Sequence, residues 1–301
     1  RMGAVYLYSL RSLDNEEAMK TAVVTGVSTG IGRQIAETLV TQGYMVFGSV
    51  RSQRDATRVT KEIGKNFKAL VFDVTREDEV LASVKTVKKY LGNRKLDALV
   101  NNAGIAVIGS VQGLTSEEFK HQFDVNLMGV FHCVQAYADL LGADQEREGQ
   151  SGKIINISSV SGKTGMPFMS AYNMSKFGLE GFSEALRREF QFYGIDVAVI
   201  APGPVKTPIW EKFDPEGLTK RHSNSPMREP LQRMLAYSDA MSDKGCSPAR
   251  IADCVVDILS NRKAGARYTI DTTAGQQRIL SILPTRMGDR MIGSQLGLRR
   301  K

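Results

Sequence analysis

The stretch Thr25-Gly26-Val27-Ser28-Thr29-Gly30-Ile31-Gly32 begins at the end of an apolar run, 21–25, and leads into a helix-forming run, 33–39. Glycines in such a loop allow a tight turn and close backbone approach, and a helix start offers unpaired N–H groups and a positive dipole end to a phosphate. The spacing is GxxxGxG rather than GxGxxG. A turn without a ligand is the alternative, but the strand before the loop and the helix after it favour a dinucleotide site. The residues predicted to form it are Gly26, Ser28, Thr29, Gly30, Ile31 and Gly32.

Short apolar runs alternate with helix-length segments along the whole chain. They lie at 21–25, 45–50, 69–72, 98–100, 153–157, 196–200 and 268–270. Such alternation predicts a parallel sheet, and strands without polar interruption indicate burial on both faces. The predicted fold class is therefore α/β, a Rossmann-type doubly wound parallel sheet of about seven strands with helices on both faces.

The composition, 42% hydrophobic and 24% charged over 301 residues, is that of a globular protein able to bury one core. We expect a single Rossmann-type domain at 20–272, preceded by a leader or disordered arm at 1–19. The proline-rich stretch 204–246 is too long for an ordinary connection and predicts a substrate lid with short helices. Apolar residues recurring through 273–301 predict a basic amphipathic extension, broken at Pro284.

The net charge of +8 is concentrated at the end of the chain. Residues 275–301 contain six basic residues and one acid, and the remainder is nearly balanced, which argues against nucleic-acid binding. Contact of this basic tail with a membrane surface is a further hypothesis. No apolar run approaches the roughly 18 residues that a membrane span needs. Three cysteines without a ligand spacing indicate a reduced, metal-free, cytoplasmic protein.

The second predicted strand ends without an acidic residue. An acid there would bind the ribose 2′-hydroxyl of NAD(H), whereas Ser49 and Arg51 leave room and positive charge for a 2′-phosphate. NADP(H) is therefore expected rather than NAD(H). An Arg51 side chain that simply faces solvent is the alternative.

A Tyr-x-x-x-Lys pair, Tyr172 and Lys176, begins a helical pattern that places both side chains on one face, one turn apart. A nearby ammonium favours the phenolate and so lowers the pKa of the tyrosine, which can then exchange a proton with a substrate oxygen. Ser158 and Ser159 follow the predicted strand 153–157, at the edge where open parallel sheets bind ligands. Either serine could take part in this site.

These motifs resemble the short-chain dehydrogenase/reductase superfamily in its compact one-domain branch, over about residues 20–271. They occur in the order of that family: 25–32, Asp73-Val74, Asn101 to Gly104, Asn126, Ser159, Tyr172 with Lys176, and 202–207. The resemblance implies an oxidoreductase that moves a hydride between the nicotinamide of NADP(H) and a carbonyl or secondary alcohol of a small molecule.

The resemblance also implies a role for each matching residue. Tyr172 would be the general acid/base, and Lys176 would lower its pKa and hold the nicotinamide ribose. Ser159 would orient the reacting oxygen, and Asn126 would position a water that relays protons to Lys176. Ser159 is preferred to Ser158 because it lies thirteen residues before Tyr172, the usual spacing in the family. Further cofactor contacts are implied for Asp73, Val74, Asn102, Ala103, Gly104, Pro202, Gly203, Val205 and Thr207.

One position departs from the pattern of many NADP-preferring relatives, which carry Lys or Arg just before the second glycine of the loop. This chain has Thr29 there, so NADP preference depends on Arg51 and Ser49. An NAD(H)-dependent dehydrogenase of the same family stays open as an alternative. A non-catalytic NADP-binding regulatory protein is another, although relatives of that kind usually lose the tyrosine that this chain retains.

An apolar substrate is expected from the side chains near the predicted substrate loops. Substrate contacts are predicted for Ser159, Met166, Phe168, Tyr172 and Trp210, with Val160 and Met169 close by. Because family members usually form dimers or tetramers, a homodimer or homotetramer is expected through the helices around 119–141 and 172–193.

Overall fold

The structure is a computed structural model that describes residues 19–207, 215–262, 264–271 and 283–298. Parts of several sequence predictions fall on other residues. They are residues 1–18 of the leader, residues 208–214 of the lid with the substrate contact of Trp210, and residues 273–282 and 299–301 of the tail. These parts lie outside the described residues.

Seven strands form one parallel sheet, as predicted. They are β1 Thr21–Val24, β2 Met45–Val50, β3 Phe67–Val71, β4 Ala98–Asn101, β5 Lys153–Ile157, β6 Asp196–Pro202 and β7 Arg267–Ile270. The order across the sheet is β3-β2-β1-β4-β5-β6-β7. It reverses between β1 and β4, and ligands of doubly wound sheets bind at the carboxyl ends of the strands beside such a reversal.

Ten α-helices connect and flank the strands within the described residues. They are α1 Gly30–Thr41, α2 Gln53–Ile63, α3 Glu77–Leu91, α4 Ser116–Phe123, α5 Gly129–Ala138, α6 Ser170–Glu189, α7 Pro215–Arg221, α8 Arg228–Asp243, α9 Pro248–Ser260 and α10 Thr285–Leu296. A π-helical turn, Asp124–Met128, joins α4 to α5 without a break. Helix starts follow local capping chemistry: Thr115 and Glu118 form a capping box before α4.

Helices cover both faces of the sheet, which confirms the doubly wound arrangement. In β1, Val23 packs in one cluster of buried side chains, whereas Ala22 and Val24 pack in the other. The first of these clusters includes side chains of α3, α5 and α6, and the second includes side chains of α1, α2 and α9. Burial on both faces explains why the inner strands carry apolar residues without interruption.

The outer strand β3 departs from that expectation. It begins at Phe67 rather than at 69, and it exposes Lys68 and Val71. An edge strand pairs on one side only, and less of its surface is covered by neighbouring elements. The prediction of burial on both faces is therefore wrong for this strand.

The segment predicted as a lid leaves and rejoins the domain at one point. Lys206 donates its backbone N–H to the carbonyl of Cys246 at 3.1 Å, and Cys246 donates to Pro204 at 3.0 Å. Between these ends lie α7 and α8, the latter a helix of 16 residues rather than a short one. The last helix, α10, begins directly after Pro284 and packs against α8, where Leu296 is buried.

No helix in the described part of the chain is both long and apolar enough to cross a membrane.

Candidate functional site

A cavity of about 390 Å³ opens at the carboxyl edge of the sheet and runs from the loop after β1 to the lid helix α8. Most of the side chains predicted to contact cofactor line it. They are Gly26, Ser28, Thr29, Gly30, Ile31, Ser49, Arg51, Asp73, Val74, Asn102, Ala103, Gly104, Tyr172, Lys176, Pro202, Gly203, Val205 and Thr207. The fold thus brings together residues from six separate segments of the sequence.

Gly32 is the one predicted cofactor residue that does not line the cavity. A Cβ atom there would collide with the carbonyl oxygen of Gly26, so this glycine lets the loop close upon itself. Gly26 has φ of 73°, and a Cβ on it would lie 2.9 Å from Cα of Ala103. Both glycines therefore permit the loop to pack tightly beside the end of β4.

Ser49 has a structural role that the sequence did not predict. Its side chain is buried, and its Oγ accepts a hydrogen bond from the backbone N–H of Gly26 at 3.0 Å. It therefore holds the glycine loop to β2, and because it also lines the cavity its place beside a 2′-phosphate stays a prediction. Arg51, in contrast, is exposed and lines the cavity just beyond β2.

The start of α1 fits a phosphate group. Thr29 precedes the helix and makes no side-chain capping bond, so the N–H groups of the first turn are left to the cavity beside Gly30 and Ile31. Asn102 braces the loop from below, since its Nδ2 donates to the carbonyls of Thr25 at 2.9 Å and Gly26 at 3.2 Å. Together with the cationic Arg51, these groups suit a dinucleotide.

Tyr172, Lys176 and Ser159 meet at the far end of this cavity. Lys176 is buried, and its Nζ donates to the carbonyl of Ile157 at 2.9 Å while lying 5.7 Å from the centre of the Tyr172 ring. The Ser159 hydroxyl lies close enough to Tyr172 to lower its pKa, and its Oγ accepts from Ser161 N at 3.1 Å and donates to the carbonyl of Pro202 at 3.5 Å. Both Ser158 and Ser159 line the cavity, so the choice of Ser159 stays a prediction of the family spacing, which its effect on the tyrosine supports.

The net shift in the pKa of Tyr172 is upward, whereas the sequence predicts a lower pKa. Burial raises the pKa of Tyr172 above its ordinary value, and the Ser159 side chain offsets this in part. Burial also lowers the pKa of Lys176 to about 8, opposed by the charge of Glu180. Removal of water from the phenol dominates this net shift, and the lowering of the tyrosine pKa by Lys176 stays a prediction.

Asn126 does not line the cavity; it lies in the π-helical turn and ties three segments together. Its Oδ1 accepts from Ile105 N at 2.9 Å, and its Nδ2 donates to Ile105 O and to Ser175 Oγ, both at 3.1 Å. Gln122, one turn earlier, bonds the same loop through Val107 N at 2.7 Å. Both amide groups thus brace the loop after β4 against α6.

Sequence reasoning missed Gln122 and a second network of buried amides. Asn101 donates to Asn156 Oδ1 at 2.8 Å, and Asn156 donates to Ser183 Oγ at 2.9 Å. This chain links β4, β5 and α6 below the site. A polar Asn156 inside an apolar strand was the available signal, since a buried amide needs partners.

The substrate end of the cavity is formed by loop and lid side chains. Met166 lines it as predicted, and Met169, Met234, Tyr237 and Met241 complete an apolar wall. The prediction for Phe168 needs correction. This residue has φ of 66° and lies behind the wall, where its side chain packs with Ile108 and Leu218. It supports the cavity without lining it.

A doubly wound sheet with a glycine cradle for a dinucleotide, beside a buried Ser-Tyr-Lys set, defines a nucleotide-dependent oxidoreductase. Comparison with known proteins agrees. The family model of the short chain dehydrogenases matches residues 20–217. The chain belongs to this family.

Several relatives are similar over most of their length. An NADPH-dependent 3-dehydrocapnine reductase of Ornithobacterium rhinotracheale is 35% identical over 92% of this chain and 98% of its own. A 3-ketodihydrosphingosine reductase of Bacteroides thetaiotaomicron is 31% identical over 82% of this chain and 86% of its own. A crystal structure of actinorhodin polyketide ketoreductase with NADPH is 28% identical, covers 86% of this chain and 97% of that one, and superposes with a TM-score of 0.70.

Proposed function

We propose that this protein is an NADPH-dependent reductase of a ketone borne on a long apolar chain. One observation carries the proposal: Ser159, Tyr172 and Lys176 line the same cavity where the dinucleotide cradle adjoins a methionine-lined pocket. A reacting carbonyl held there would lie within reach of both the cofactor site and a proton donor.

The chain's own residues supply the proton and the orientation. Because burial raises the pKa of Tyr172, its hydroxyl keeps its proton at neutral pH and can donate it to the carbonyl oxygen. Ser159 donates a hydrogen bond to the same oxygen, and Lys176, anchored on the carbonyl of Ile157, holds the ribose beside them. Bound NADPH supplies the hydride that reduces the carbonyl carbon.

The substrate class is supported by the pocket and by the relatives. Flexible methionines at Met166, Met169, Met234 and Met241 suit an apolar chain of variable shape. Two relatives bear names of reductases of a 3-dehydro and a 3-keto compound. Ketones of sphingoid-like chains are therefore the first substrates to test.

The test is a substrate panel followed by nicotinamide absorbance with NADPH and, separately, with NADH. It should contain 3-ketodihydrosphingosine, a 3-ketoacyl thioester, retinal and a steroid ketone. The proposal expects NADPH oxidation with a long-chain ketone and a lower kcat/KM with NADH. Equal use of NADH would instead support the NAD(H)-dependent alternative. Tight NADPH binding without turnover of any member would support the regulatory one.

We also propose that the protein forms a homo-oligomer. Helices α5 and α6 and the turn before α5 expose four large apolar side chains: Met128, Phe131, Met174 and Phe177. Exposed apolar side chains grouped on neighbouring helices are typical of protein interfaces. Light scattering after size exclusion should give a multiple of the 33.1 kDa chain mass, and Phe131→Asp should reduce it.

A further inference from the structure

The glycine loop 25–32, called the phosphate loop below, contains no basic residue, but an arginine from another part of the chain contacts it. Thr29 occupies the position where many NADP-preferring relatives carry a basic residue. Arg58 lies 29 positions later, in α2, yet its Nη2 donates to the carbonyl of Ser28 at 3.0 Å. The fold therefore returns a guanidinium to the same loop from a distant helix.

Arg58 is held in this place by acids beside it. Its Nη2 also contacts Asp55 Oδ1 at 2.8 Å, and its Nη1 contacts Glu62 at 3.4 Å. Asp55 itself lines the dinucleotide cavity together with Arg51. The guanidinium is thus one hydrogen bond away from both the loop and a cavity-lining carboxylate.

Ion pairs on an exposed helix surface stabilise a protein only slightly, so the pairs with Asp55 and Glu62 give little reason by themselves for an arginine here. The bond to the Ser28 carbonyl is different because it joins α2 to the phosphate loop. A guanidinium presents several N–H donors in a fixed fork, and one edge can bind a phosphate while another keeps its existing partner. Lysine carries its three N–H donors on one nitrogen, so it does not present two separate edges to two partners.

We propose that Arg58 is a second cation of the 2′-phosphate site and, with Arg51, determines selection of NADPH over NADH. The proposal rests on the proposed use of NADPH. Asp55 holds Arg58 beside the loop, and a bound 2′-phosphate replaces Asp55 as the partner of one guanidinium N–H group. Arg58 is therefore a specificity residue that compensates for Thr29.

The test measures binding, with no turnover required. Isothermal titration with adenosine 2′,5′-bisphosphate and with 5′-AMP compares the same nucleotide with and without the 2′-phosphate. Arg58→Ala should weaken binding of the bisphosphate by about tenfold and leave 5′-AMP unchanged. Arg58→Lys should fall between the wild type and Arg58→Ala. Neither arginine lines the cavity directly, but Arg58 bonds the carbonyl of Ser28 there. Arg54→Ala is therefore the matched control, because Arg54 is an exposed arginine on the same helix and the bond to Ser28 belongs to Arg58.

The outcomes separate this proposal from the one on which it rests. A wild-type protein that binds both nucleotides equally overturns NADPH preference and, with it, the role of Arg58. If the wild type prefers the bisphosphate and Arg51→Ala removes the preference, an Arg58→Ala variant that behaves like Arg54→Ala overturns the role of Arg58 alone. Equal weakening of both nucleotides by Arg58→Ala also overturns it, since the residue then only shapes the loop. Thermal unfolding of each variant verifies that the fold is retained.

Discussion

Thr25 Oγ1 accepts a hydrogen bond from the backbone N–H of Asn102 at 2.9 Å and so joins the ends of β1 and β4. The same oxygen accepts from the N–H of Ala103 at 3.0 Å. In return, the amide of Asn102 donates to the Thr25 carbonyl. This reciprocal pairing places the Asn-Asn-Ala-Gly turn under the glycine loop, and it gives the threonine a structural role within the cofactor site.

Replacing Thr25 with valine keeps the shape of the side chain but leaves two backbone N–H groups without their acceptor. Because Thr25 is buried, we expect a loss of about 1–3 kcal/mol in the free energy of unfolding and weaker NADPH binding. Urea unfolding and fluorescence titration measure the two effects. Thr25→Ser retains the hydroxyl and is the control; a valine variant as stable as the serine variant would show that the pairing is dispensable.

Tyr172→Phe removes the proposed proton donor while keeping the ring. Ketone reduction should fall by at least about 10²-fold, the smaller effect typical of a lost general acid, with cofactor affinity nearly unchanged. Steady-state kinetics and NADPH titration of the same preparation separate turnover from binding. Near wild-type turnover in this variant would sink the proton-donor role even though the fold is right.

The buried Lys176 should make stability depend on pH in a defined window. Its folded pKa of about 8 lies below the ordinary 10.5, so between these values the unfolded chain binds more protons and wild-type stability rises with pH. Lys176→Met lacks this ionisation. Relative to it, the free energy of unfolding of the wild type should increase by about 3 kcal/mol between pH 8 and pH 10.5. Urea unfolding at pH 7 to 10.5 measures the difference. The exposed-lysine variant Lys61→Met controls for loss of charge, and a constant difference between wild type and Lys176→Met would contradict the prediction.

Leu296→Ala should loosen the lid. Leu296 packs in the cluster that contains Leu231 and Met234, and Met234 lines the substrate pocket. A large-to-small change in such a cluster costs about 2–5 kcal/mol locally, so we expect faster proteolysis of the lid and a higher KM for the apolar ketone. Met291→Ala, on the exposed face of the same helix, should change neither. If the two variants behave identically, the packing of Leu296 does not hold the lid in place.

Much of the fold follows from local sequence patterns. The seven strands are short, apolar and separated by helical segments, and the helix starts carry capping residues such as Thr115. These signals depend on residues that are close together in the chain, so they can be recognised from the sequence alone. The bounds of β3 were less predictable because an edge strand is only partly buried.

The site was predictable where spacing brings groups together and unpredictable where packing does. Tyr172 and Lys176 lie one helical turn apart, so their proximity follows from the sequence. The hydrogen bond of Asn126 to Ser175 and that of Gly26 to Ser49 join segments that are 49 and 23 positions apart in the chain. No local pattern indicates which partner a polar side chain will find at such a distance.

By itself the sequence determined the doubly wound sheet, the glycine loop at the end of β1 and the pairing of Tyr172 with Lys176, because periodicity and fixed spacing encode them. The preference for Ser159 over Ser158 came from the family resemblance. Tertiary structure alone decided the direction in which the pKa of Tyr172 shifts and the return of Arg58 to the loop at Ser28. Ionisation in a protein depends on how much water distant segments exclude, and a contact across 30 positions depends on how helices pack against the sheet.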